Sequence, residues 1–326
     1  MATKETKFEI TDCGVLTKVI PGNENEITVP NGVTAIGTNA FGATRFYKIN
    51  LPEGITEIYA KAFHNCKNLE EINFPTSLTR IGAFAFAGTF IKEAVLPNIT
   101  FIDKGAFAKC DNLRKVEFPN VMRINQQAFQ YCYKLEKVNF PDTLEFIGPA
   151  SFAGCHRLES IILPRKLEAI TTSAFANCSQ LKSVTLNDNL KIIGRGAFKY
   201  CGMLQDVIIE RDSLLSEIQN DAFANCFRLK NITLPKKLET IEQSAFSDCS
   251  SLEKVTILGN TFFIHEHAFF TAPAKTTFCV TTATLNTNSF IKKYDYKLMD
   301  ASIDAILEQA GETQMTLKQL NEELLK

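Results

Sequence analysis

The dipeptide Ala-Phe returns along this 326-residue chain with a regularity that few folds can accommodate. It ends at Phe41, Phe63, Phe86, Phe107, Phe129, Phe175, Phe198, Phe223, Phe246 and Phe269, with Ser151-Phe152 as a variant, so eleven units follow one another at spacings of 21 to 25 residues. Five residues before each of these Phe stands Ile, from Ile36 and Ile58 through Ile147 to Ile264. Self-similarity at a period of roughly 20–50 residues is the mark of a stacked array, because one unit cannot bury its apolar face alone and its neighbours complete the core. Such an array grows by adding units, so the length does not require two separate domains.

Three residues after the Phe comes Cys in eight units (Cys66, Cys110, Cys132, Cys155, Cys178, Cys201, Cys226 and Cys249), and three later usually Leu, as in Leu69 and Leu135. Phe, Cys and Leu at steps of three predict a tight helical turn, α or 3₁₀, with one inward face. Alternation follows, as in Ile72-Asn73-Phe74-Pro75 and Val138-Asn139-Phe140-Pro141, which predicts a short strand with one buried face. Pro closes that strand at positions 30, 52, 75, 97, 119, 141, 164 and 235, where the missing N–H ends ladder pairing. A second extended piece, such as Leu144-Glu145-Phe146-Ile147-Gly148, leads into the next Ala-Phe turn. The expected fold is therefore an α/β repeat solenoid with short strands on one face, forming one long sheet, and short helical turns on the other. At a strand spacing of about 4.8 Å, eleven units would stack to roughly 50 Å.

The order Ile147-Gly148, Ser151-Phe152, Cys155, Leu158, Ile161 and Pro164 resembles the BspA-like (Treponema-type) leucine-rich repeats. The stretch from Gly14-Val15-Leu16-Thr17-Lys18 to Ile36-Gly37 is similar to that family's usual first unit, and the resemblance covers roughly residues 8 to 298. It implies a leucine-rich-repeat right-handed superhelix of about eleven repeats. It also implies recognition of a protein or glycoprotein, in the manner of surface-associated adhesins, and a place at the cell surface or outside the cell. The chain departs from the more familiar leucine-rich consensus in the slot after the strand, filled by Ser77, Thr143, Lys166 or Asn189, so no uniform asparagine ladder is expected.

Bare ends of an array expose apolar edges, so caps are expected. Residues 1–29 are read as an N-terminal cap, a hairpin around Pro21-Gly22-Asn23. Residues 30–280 form the solenoid and 281–326 a C-terminal cap with a helical tail. Phe278 to Val280 is the last strand, and Ser289-Phe290 echoes the Ala-Phe turn. Ile303, Ile306, Leu307 and Ala310 share a helical face ended by Gly311, and Thr316 with Gln319 opens a second helix bearing Leu317, Leu320 and Leu324. These helices cover the last repeat or, alternatively, join two copies into a homodimer, in which case the chain serves as a structural scaffold or spacer that self-associates through them.

Lys plus Arg number 35 against 36 Asp plus Glu, a net charge of −1, so no drive toward nucleic acid or an anionic membrane is expected. No run of about 18 apolar residues is present and the opening MATKETKFEI lacks the apolar core of a secretory signal, which by itself favours a cytoplasmic chain. Eight of the ten cysteines occupy one inward slot, where packing as small apolar thiols explains them better than disulfides or metal binding. His265-Glu266-His267 offers two metal ligands without a third, and neither His64 nor His156 forms a couple with a nucleophile. No catalytic site, cofactor or metal is expected.

What remains is surface. The outward strand positions, such as Glu70/Glu71/Asn73 and Arg114/Lys115/Glu117, are polar and of mixed sign. In the second extended segment the outward slots hold Thr34, Thr56, Thr79 and Thr100, read as structural β-pairing. The middle units place Phe101, Met122, Phe146 and Ile192 there instead. Exposed together, these would form an apolar patch of the kind that marks an interaction site.

Overall fold

The computed structural model describes residues 5–42, 44–210 and 212–299, which fall into two compact units divided between Leu158 and Glu159. Six Ala-Phe (or Ser-Phe) turns lie in the first unit and five in the second. Every coil lays the same residues on its neighbour, which is why the sequence period survives as structure. In the first unit the two-residue strands Ala35–Ile36, Glu57–Ile58, Arg80–Ile81, Phe101–Ile102, Arg123–Ile124 and Phe146–Ile147 run parallel, each Ile opposite the next. The second unit repeats this with Ala169–Ile170, Ile192–Ile193, Glu217–Ile218, Thr240–Ile241 and Phe263–Ile264. The segments before the corner prolines pair separately: Glu26–Thr28 with Lys48–Asn50 and Glu71–Ile72, and Glu93–Val95 with Lys115–Glu117. In the second unit the corresponding strands are Ser160–Ile162, Ser183–Thr185 and Asp206–Ile208, then Asn231–Leu234, Lys254–Ile257 and Thr277–Val280. The coils thus contribute to two sets of parallel strands rather than to the one long sheet expected, and the strand expected at Val138-Asn139-Phe140 is reduced to a single bridge between Lys137 and Lys115.

The expected helical turns are also corrected. Around Phe63 the N–H groups alternate: Ala62, His64 and Cys66 donate within the coil to the residue three back (3.0–3.3 Å), while Lys61, Phe63 and Asn65 donate to Ala83, Ala85 and Ala87 of the next coil (2.8–2.9 Å). A helix would turn every N–H along its own axis. Here half of them bond across coils, because residues two before and two after the Phe adopt left-handed φ, as Lys61 (+58°) and Asn65 (+58°) do. All sixteen non-glycine residues with positive φ among those described occupy one of these two flanking slots. The step of three is common to a 3₁₀ turn and a run of such turns, and it is the alternation of handedness that makes this segment a third inter-coil ladder. Among the described residues, helix is confined to Thr282–Thr287 and the 3₁₀ turn Ser289–Lys293.

The core follows from this register. The Phe rings stack coil on coil, Phe41–Phe63–Phe86–Phe107–Phe129–Phe152 in the first unit with centroids 4.6–5.4 Å apart, and Phe175–Phe198–Phe223–Phe246–Phe269 in the second at 5.0–5.6 Å. The rings lie within 22° of parallel and are all buried. Each such contact contributes about 0.5–1.5 kcal/mol beyond the area it buries. The Ile of the two-residue strands are equally buried, Ile147 among them at 0% exposure.

At the N-terminus the hairpin is present but its turn is not at Pro21-Gly22-Asn23. Lys7–Ile10 pairs antiparallel with Val15–Ile20, and the chain reverses at Thr11–Gly14, where Gly14 (φ +79°) donates to the Thr11 carbonyl and the Thr11 hydroxyl accepts the Val15 N–H at 3.1 Å. Val15–Leu16 then pairs with Ala35–Ile36, so the hairpin continues the first unit's sheet. At the other end Thr277–Val280 is the strand expected there, followed by Asp295–Leu298 beside it. Ser289-Phe290 opens the 3₁₀ turn, but Ile291 rather than Phe290 is the buried residue, since the Cys and Leu slots that would orient an Ala-Phe turn are missing. The expected helices after Asp300 lie outside the described residues.

Candidate interaction surface

In the first unit Ala35, which precedes Ile36, is buried, but from the next coil on the residue preceding the core Ile lies outside the core, and by register these residues form a row: Glu57, Arg80, Phe101, Arg123, Phe146. Phe101 is 38% exposed and Phe146 half-buried, because the Arg123 guanidinium carbon lies 4.4 Å above the Phe146 ring. That is a cation–π contact, which holds the arginine flat while leaving its donors free to reach outward. Arg80 is drawn the other way, toward Glu57 at 3.7 Å. One slot back along the chain Met122 is 40% exposed, its backbone fixed by Met122 N–H to Thr100 C=O at 2.8 Å. Phe101, Met122 and Phe146 therefore stand on three successive coils with two arginines between and beside them. Ile192 occupies the same slot in the second unit's sheet, half-buried between Ala169 and Glu217.

The threonines of the earlier coils are structural. The Thr56 and Thr79 hydroxyls donate to the Thr34 and Thr56 carbonyls of the preceding coil at 3.4 and 3.1 Å. The sheet before the prolines is laced by ion pairs, with Lys92 on Glu70 at 2.7 Å and Lys48 on Glu71 at 3.6 Å. The Glu70 carboxylate pushes the Lys92 ammonium up from its ordinary value, and the Tyr47 hydroxyl, donating to Glu71 at 3.0 Å, is raised likewise. These groups are open to solvent, so the pairs add little to stability.

Chemistry-bearing residues are placed for packing. The Cys66, Cys110 and Cys132 thiols donate to the Phe41, Phe86 and Phe107 carbonyls one coil earlier at 3.0–3.1 Å, and burial pushes the Cys132 thiol well up from its ordinary value. His265 Nδ1 accepts the backbone N–H of His267 at 3.1 Å, which occupies one ligand atom of the histidine pair. Among the described residues no three His, Cys, Asp or Glu are grouped to hold a metal.

Sequence reasoning missed a second exposed aromatic set. Phe262, Phe263 and Phe270 are 73%, 51% and 57% exposed in the second unit. The signal was available, since Phe263 precedes Ile264 as Phe101 precedes Ile102. It was obscured because the Cys and Leu slots after Phe269 no longer match the repeat.

The repeat geometry and its sequence pattern coincide with one family: the profile of the BspA type leucine rich repeat region (6 copies) matches residues 22–114, 100–216 and 209–297. The chain belongs to this family. No curated protein sequence matches it. Among solved structures it is similar to a leucine-rich repeat protein from Bacteroides ovatus, at 21% identity over 91% of this chain and 98% of that one with a TM-score of 0.49. A leucine rich cell surface protein from Faecalibacterium prausnitzii matches at 21% identity over 91% and 94% (TM-score 0.42). The T. pallidum leucine rich repeat protein matches at 24% over 68% and 87% (TM-score 0.42). As a BspA-type repeat protein the chain is a leucine-rich-repeat β-solenoid of about eleven turns, a fold that serves protein interaction. No helix among the described residues is long and apolar enough to cross a membrane.

Proposed function

We propose that this chain is a non-enzymatic binding module for a protein or glycoprotein, acting as surface adhesins of its family do, and that the row Arg80, Phe101, Arg123 and Phe146 with Met122 is its reading face. The observation that carries this is the exposure of Phe101 and Met122 beside an arginine already oriented on Phe146. Aromatic residues, Met and Arg are the residues enriched in binding hot spots, and a face built on paired backbone loses little entropy on binding. Ile192 holds the equivalent slot within the second unit. Deployment at the cell surface or outside the cell is the reading the family implies; a cytoplasmic role is the alternative. Residues 1–29 and 281–326 are assigned as the caps of a solenoid spanning 30–280.

Immobilised wild-type protein and a Phe101→Asp/Met122→Asp double variant, exposed side by side to surface extract of the native host, test the assignment. A partner retained by the wild type and lost from the variant, with unchanged thermal unfolding, supports it. Equal capture by both would remove this face from recognition.

A further inference from the structure

The second unit contains a groove of about 970 Å³ whose apolar wall is made by Leu214, Leu238, Leu258, Phe262 and Met299. Phe262 is the most exposed large apolar side chain described in the protein, at 73%. Lys191, Lys236 and Lys237 also line the groove against one acid, Glu239. Lys191 is engaged by Glu168 at 2.9 Å, whereas Lys237 has no ion pair among the described residues. An apolar floor with a basic rim is a site for an amphipathic segment carrying acids beside its apolar stripe.

The chain itself supplies such a segment at the groove's own wall. Met299 is buried and anchored by its N–H to the Val280 carbonyl at 3.1 Å, and 27 residues follow it (326 − 299). Within residues 300–312 the acids recur every fourth position, Asp300, Asp304, Glu308 and Glu312, with no Lys or Arg among them. Ile303, Ile306, Leu307 and Ala310 fall at the spacing of one helical face, next to that acidic edge. The start of the segment is thus fixed beside the groove, which removes most of the translational cost of docking.

We propose that residues 300–312 seat in this groove of their own chain, with Ile303, Ile306 and Leu307 against Phe262 and Leu258 and with Asp304 or Glu308 facing Lys237. The segment then closes the apolar face of the second unit and is not a free arm for pairing two copies.

Hydrogen exchange on the full chain, comparing wild type with Ile306→Asp/Leu307→Asp and with Phe262→Asp, reads the docking directly. Exchange across residues 258–263 rises by about tenfold in both variants if docking contributes protection on the order of 1.4 kcal/mol. A zero-length carbodiimide crosslink between Glu308 or Asp304 and Lys237, in a mixture of isotopically light and heavy protein, forms within single chains. Unchanged exchange in the tail variant overturns the proposal, and so does a crosslink found between light and heavy chains, which would assign the tail to a second copy. Phe262→Asp guards against a merely local effect, since an unfolded variant would expose the Phe stack as well as the groove.

Discussion

The thiol of Cys110 donates to the carbonyl oxygen of Phe86, one coil earlier, across 3.1 Å. The same bond joins Cys66 to Phe41 and Cys132 to Phe107 in the first unit, and Cys201 to Phe175, Cys226 to Phe198 and Cys249 to Phe223 in the second, at 3.0–3.4 Å. Where the slot holds Thr, as at Thr44 and Thr89, the hydroxyl donates to the Phe carbonyl of its own coil, at 3.0 and 2.9 Å. The slot therefore calls for a small buried donor and not merely for a small apolar group.

Replacing Cys110 by Thr is accordingly expected to leave stability within about 1 kcal/mol. Cys110→Ala should cost about 1–2 kcal/mol, from the lost bond and a small cavity. Urea unfolding of the two variants, read by circular dichroism, separates a donor role from simple filling, which would make Ala and Thr equivalent.

Alkaline pH should unfold the protein through these thiols. Burial raises Cys132, Cys201 and Cys226 well above their ordinary value and brings Cys249 from 9.0 to about 12. In the unfolded chain the same groups ionise near 9, so above that pH the unfolded state releases protons the folded state keeps. Stability is fully present below pH 9 and declines between about 9 and 12. A melting temperature measured from pH 7 to 11 should be level to about 9 and fall beyond; a level profile to pH 11 would contradict the burial.

The aromatic Phe84 lies across Gly105 of the next coil, so that a methyl at Gly105 would enter its ring, and Gly105 itself has φ +60°. Gly105→Ala should cost about 2–4 kcal/mol, backbone strain plus overpacking. At Gly196, with φ +59° and nothing nearer than 3.5 Å, Ala should cost only the backbone share, about 1–2 kcal/mol. Equal losses at the two sites would show that the ring packing is unimportant.

Ile147→Ala should cost about 2–5 kcal/mol, as truncation of a fully buried aliphatic does. Four residues on, the Ser151 hydroxyl is buried without a hydrogen-bond partner among the described residues, where other coils hold Ala. Ser151→Ala should raise stability by about 1 kcal/mol. Calorimetry on both variants checks the register, since a neutral Ile147→Ala would place that side chain outside the core.

Phe101, Met122 and Phe146 were legible as outward residues because a parallel stack preserves sequence slots, but their degrees of exposure were not. Arg123 half-covers Phe146 and leaves Phe101 open, a difference that depends on a side chain one coil away. The asparagine-poor corner shows the same limit: Ser77 and Thr143 each donate to a carbonyl of the preceding coil, Ile55 at 2.8 Å and Val121 at 2.9 Å.

By itself the sequence determined the number of coils, the Ile and Phe that fill them and the positions of the corners, because hydrophobic period is a local property that stacking simply copies. Only the tertiary structure decided that the Ala-Phe segment is a ladder of turns and not a helix. A step of three satisfies in-coil bonds in either form, and the choice rests on where the remaining N–H groups find acceptors. Those acceptors, Ala83, Ala85 and Ala87 for the coil of Phe63, belong to the next turn of the chain. The sequence did hold a trace of that outcome in Asn65, Gly88, Gly105, Gly154 and Asn177 at the left-handed flanks, residues whose small or self-bonding side chains tolerate positive φ.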